Sequence, residues 1–195
     1  MLDDKGFDYG VLTGIGLAIA AAVVLLIALT MLRSSETADA SVALQSAASE
    51  VCGDIEAVGA MAVPYKAERY YEFDGVDVRV SSGYVNASSG KGTFFRPFAG
   101  CIVPGKYEEN GTVIWNGTAG MREYLNASFN ATGTKDRPVD RNHTKALIAL
   151  MVRAGVSTIV SPVEVPRGRP LVIEKTLIYA MDGAEAEPCV LVYAG

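Results

Sequence analysis

Hydrophobic and polar positions divide the chain into three stretches. From Val11 to Leu32 run 22 residues broken only by Thr13, Gly14, Gly16 and Thr30, with no charge between Asp8 and Arg33. At 1.5 Å per residue such a run crosses the roughly 30 Å hydrocarbon core of a bilayer, so it predicts a membrane helix. A cleaved secretory signal would carry an apolar region of only about 7–15 residues behind a positive start. Here Met1 to Gly6 is net negative. Gly10, Gly14, Ala18 and Ala22 form a small-residue ridge at four-residue spacing, the pattern that lets two helix backbones approach closely in lipid.

The second stretch is polar but keeps a helical period. Leu44, Ala48, Val51, Ile55, Val58 and Ala62 recur at spacings of 4, 3, 4, 3 and 4, which draws one stripe along a helix face. No proline interrupts Met1 to Val63, and Pro64 ends the run. The expectation is one long N-terminal helix over 7–63, with residues 11–63 making a rod of about 80 Å. Its apolar half, 11–32, lies in lipid or a filament core, and its amphipathic half packs on the chain's own head.

In the third stretch, 64–195, the period shortens. Runs rich in β-branched and aromatic residues occur at 70–73, 76–80, 84–85, 93–98, 101–103, 113–115, 156–165, 171–180 and 189–193. Asp74-Gly75 signals a hairpin, and the turn cluster Pro166 to Pro170 joins two of the later runs. Residues 145–154 read equally as a short helix or a strand. Residues 104–144 read as long loops with short strands. The fold class expected is α+β, a long N-terminal helix followed by an antiparallel β-sheet or β-sandwich head.

All six asparagines of the chain stand in N-glycosylation sequons: Asn86, Asn110, Asn116, Asn126, Asn130 and Asn142, none followed by proline. One sequon is commonplace. Six from six imply an exported chain whose head carries N-linked glycans on a solvated surface.

A net charge of −5 gives no reason to expect a nucleic-acid partner. Three cysteines are too few for a disulfide scaffold. Cys101 and Cys189 lie in strand-like runs and form the possible disulfide, and Cys52 reads as a small packing residue on a helix. His143, the only histidine, is the middle residue of a sequon, which removes His-based triads and most general-base schemes. The carboxylate pairs Asp74/Asp77, Glu108/Glu109, Asp136/Asp140 and Glu185/Glu187 all sit in turns or loops, without EF-hand spacing. Trp115 reads as a core residue. The chain is expected to be no enzyme, with no metal and no cofactor beyond its glycans.

Lys5-Gly6-Phe7 directly ahead of the apolar run resembles the processing site of type IV pilins and of archaeal pilin-like proteins, including archaellins. Bacterial members carry Glu at the fifth mature position, where this chain has Val11. The resemblance implies a leader, residues 1–6, cut between Gly6 and Phe7 by a leader peptidase. It further implies helices bundled into a filament core and β-rich heads displayed outside, which the sequons fit. The expected function is a structural subunit of a pilus-like filament at the cell surface, inserted in the membrane before assembly. Its expected partners are copies of itself, the membrane, the leader peptidase and the glycosylation machinery. The alternative is an uncleaved, single-pass, membrane-anchored surface domain for binding or adhesion.

Overall fold

The computed structural model describes residues 39–98, 102–180 and 185–195. Helix α1 occupies residues 39–60. The chain continues through β1 (Tyr65–Arg69), β2 (Asp77–Val80), β3 (Tyr84–Ser89), β4 (Gly92–Pro97), β5 (Ile102–Pro104), β6 (Lys106–Glu109) and β7 (Thr112–Asn116). Two helices follow, α2 (Gly117–Phe129) and α3 (Arg141–Val160), and then β8 (Val163–Glu164), β9 (Leu171–Ala180) and β10 (Glu185–Ala194).

A four-stranded sheet, β1-β9-β10-β5, is the central layer. Its pairs are antiparallel except β5 with β10, which run parallel with Ile102 opposite Val190. Alternate residues of β9 and β10 serve opposite faces, as the pleat requires. Leu171, Ile173, Val190 and Val192 enter one core with α1 and the second sheet, β4-β3-β2-β8. Ile178, Ala180, Cys189 and Leu191 enter another with α2, α3 and the β6-β7 hairpin. Burial on both faces explains why β9 is apolar through residues 171–173 and 177–180 rather than alternating.

Leu44, Ala48, Val51, Ile55 and Val58 are at most 4% exposed and fix α1 into the first core. Ala62 is exposed, because α1 ends at residue 60, where Lys175 from β9 takes up the carbonyls of Gly59 and Met61.

The fold departs from the expected one. There is no long N-terminal helix among the described residues: α1 is residues 39–60, and residues 1–38 lie outside the description. The only described helix long and apolar enough to cross a membrane is α3, in mid-chain, and its inner face is buried on the central sheet. Nor is the C-terminal part a β-head. It is mixed α+β, with α2 and α3 covering one face of the central sheet. Residues 156–160, expected in a strand, belong to α3, where Leu147, Leu150, Ala154 and Thr158 give the buried face a helical period. The 166–170 turn joins no hairpin, since β8 pairs with β2 and β9 with β1 and β10. The loop region conceals α2, whose Met121 and Leu125, four residues apart, fill the second core.

Candidate functional site

The sequons fall into two settings. Five asparagines are exposed, and all five lie between β6 and the first turn of α3. Asn110 and Gly111 have φ of 51° and 76° in the turn joining β6 to β7, the two positive values that an Asn-Gly hairpin turn requires. Asn116 precedes α2 in extended backbone, and its side chain makes no cap bond. Asn130 ends α2 in the left-handed region, an αL cap whose N–H donates to Asn126 O. Arg137 Nη2 donates to Asn126 Oδ1 at 2.8 Å and to Asn130 O at 3.2 Å. The guanidinium thus takes the oxygen of the exposed Asn126 side chain and not Nδ2, the glycan acceptor. Asn142 sits in the first turn of α3, where Asp140 accepts from His143 N–H at 2.9 Å.

Asn86 differs. It lies on β3, an inner strand of the second sheet, between Arg79 and Phe95. It is half-buried, and its Oδ1 is shielded without a hydrogen-bond partner.

The patterning of the chain did not announce a further feature, on α3. The outer face of α3 carries Ile148, Val152, Val156, Ile159 and Val160 at 57, 56, 51, 53 and 85% exposure. Spacings of four and three residues align them in one stripe over the last three turns. Next to it, Leu147, Ile148 and Met151 meet Ile178 and Pro188 in an apolar groove of about 410 Å³. Scattered surface aliphatics are ordinary, whereas here they are contiguous, and the largest apolar patch on a protein surface is often a functional one. Its signal in sequence was apolar residues on both faces of 147–160, which reads as readily as a strand.

Several groups able to do chemistry are engaged in structure. His143 Nδ1 lies 2.9 Å from Asp140 Oδ2, and its ring rests 5.3 Å from that of Phe129. The His143 backbone N–H holds the Asp140 carboxyl below its usual range. Glu109 pairs with Arg153, Glu108 with Lys106 and Asp77 with Arg167. Trp115 is buried and donates from Nε1 to Pro104 O at 2.9 Å. Burial pushes the Cys52 thiol up. Among the described residues no three His, Cys, Asp or Glu side chains are placed to hold a metal ion.

Gly6 and Phe7, the ridge Gly10, Gly14, Ala18 and Ala22, and Cys101 lie outside the described residues. Ile102, next in sequence to Cys101, pairs with Val190, next to Cys189. Compared with known proteins, the chain matches no family model, and no curated protein or solved structure shows significant similarity to it.

Proposed function

We propose that the chain is a structural subunit of an extracellular, pilus-like filament. Its N-glycosylated head faces outward, and its apolar N-terminal segment, residues 11–32, joins it to sister subunits and, before assembly, to the membrane. The observation that carries this reading is the bare apolar face of α3 in a chain whose five sequons other than that of Asn86 are exposed. In water that face is an aggregation hazard, and a second copy laid over it removes it from solvent. The stripe offers on the order of 400 Å² against about 800 Å² per partner in a standard interface. It therefore suits one of several contacts per subunit, as in a head-to-tail array, rather than a self-sufficient dimer.

The placement of the sequons supports the same arrangement. Sugars on Asn110, Asn116, Asn126, Asn130 and Asn142 keep the β6-β7, α2 and early α3 surface wet. The last three turns of α3 carry no acceptor of their own; the nearest placed beside them is Asn110, whose neighbour Glu109 pairs with Arg153. The partners in this reading are copies of the chain, the membrane, a leader peptidase acting at Gly6-Phe7 and the glycosylation machinery. No catalytic role is proposed.

Mass spectrometry of the N-terminal peptide tests the reading. It is applied separately to sheared surface material and to membranes. A peptide beginning at Phe7 in the sheared fraction is the expected result. An intact Met1 peptide confined to membranes would overturn it in favour of the anchored binding domain.

A further inference from the structure

A cavity of about 580 Å³ opens between the β2-β8 edge, the segment 71–76 and the turn 165–169. That volume lies within the range of small-ligand sites. Its inner wall is aromatic: the rings of Tyr71 and Phe73 stack at 5.5 Å and 20°. Tyr71 is locked in place, its hydroxyl donating to Asp54 Oδ2 at 2.7 Å, while Phe73 stays half-exposed. Val78 and Val163 add apolar surface.

The rim is charged with both signs. Arg79 and Glu164, directly opposite across the β2-β8 pair, meet at 3.3 Å. Arg167 meets Asp77 at 2.8 Å and also donates to Val76 O. Arg169, exposed on the same rim, has no hydrogen-bond or ion-pair partner. Among the lining residues three guanidiniums face two carboxylates, which leaves the Arg169 guanidinium without a counter-charge in the lining. Nothing in the fold uses it.

We infer that this groove binds an acidic saccharide, a sugar chain bearing a carboxylate. A sugar ring lays its C–H face against an aromatic ring and spreads its hydroxyls among nearby donors and acceptors. Phe73 supplies the ring. Asp77 and Glu164 accept from hydroxyls, and Arg79 and Arg167 donate to them. Arg169 is left to take the ligand carboxylate in a two-pronged, charge-assisted bond. A compact anion such as sulfate fits less well, because it gains nothing from the aromatic wall and is repelled by the two carboxylates. The inference stands apart from filament assembly, since the groove is complete within one chain.

The test is calorimetric titration of the full chain, in detergent micelles, with trigalacturonate. Maltotriose and inorganic sulfate are the controls. Trigalacturonate is expected to bind, and R169A to weaken it at least about 10-fold, as loss of a charge-assisted bond does. R169A leaves the fold intact by far-UV circular dichroism. Absence of trigalacturonate binding, equal displacement by sulfate, or indifference to R169A would each overturn the inference. The source of the sugar follows from a chain with Gln at the five exposed sequons. Tighter probe binding after loss of those glycans identifies the protein's own glycans as the native occupant. Unchanged binding identifies an external acidic glycan.

Discussion

Lys175, buried on the central strand β9, donates from Nζ to the carbonyl of Gly59 at 2.6 Å, and the same ammonium reaches the carbonyl of Met61. It is the C-terminal cap of α1. A helix ends with carbonyls that have no intrahelical partner, and a cation there also meets the negative end of the helix dipole. One side chain therefore ties the end of α1 to the middle of the sheet. Replacing Lys175 by Met keeps the buried stem and removes the donor. The expected cost is about 1–3 kcal/mol, read as a lower urea midpoint with an unchanged slope. A midpoint equal to that of the parent chain would show that water caps α1 equally well.

Stability should fall in alkali. The Tyr71 hydroxyl is held protonated well above the ordinary tyrosine value, first by burial and then by its bond to Asp54. Tyr193 shifts the same way, through burial and Glu174. The folded chain thus holds these protons more tightly than the unfolded one. Their contribution is complete below the unfolded value, roughly pH 10, and is lost as pH rises above it. Melting temperature measured from pH 8 to 11.5 should decline more steeply for the parent than for Tyr71→Phe, which has no such proton to lose. Parallel curves would refute the assignment to Tyr71.

Glycan occupancy should follow exposure rather than motif. Asn110, Asn116, Asn126, Asn130 and Asn142 present their side chains to solvent, whereas Asn86 is half-buried on an inner strand. Glycopeptide mapping of native protein is expected to find sugar at the first five and unmodified Asn86. Full occupancy at Asn86 would mean that modification precedes formation of the second sheet.

The parallel register of β5 and β10 bears on the cysteines. With Ile102 opposite Val190, Cys101 and Cys189 are sequence neighbours of one paired position. A non-reducing peptide map should recover them as a linked pair, and reduction should cost about 2–5 kcal/mol. Cys52, buried and with its thiol pushed up, should resist alkylation until the chain unfolds. Three alkylated thiols in the native protein would contradict both statements.

What could be read from sequence depended on how many faces an element buries. The stripe from Leu44 to Val58 was legible because α1 buries one face and wets the other. Val78 and Val80, alternating with Asp77 and Arg79, gave β2 in the same way. Helix α3 was illegible because it is apolar outside as well as inside, and its Val156, Ile159 and Val160 favour a strand locally. Helix α2 was hidden by the Asn, Gly and Thr around it, although Met121 and Leu125 kept the right spacing. β1 was missed because Tyr65–Arg69 buries only Ala67. The groove rim joins residues 77–79 to 164–169, a proximity made by the β2-β8 pairing alone. The sequons were legible as motifs, but the difference between Asn86 and the other five was not.

In the filament we propose, the outer face of α3 meets another copy of the chain. The most direct measurement is electron microscopy of surface material from cells expressing V152E/V156E, beside circular dichroism of the purified variant. Both side chains are more than half exposed, so the head should fold normally. The expected result is a folded, glycosylated chain that forms no filaments. Filaments of normal length and number from this variant would contradict it.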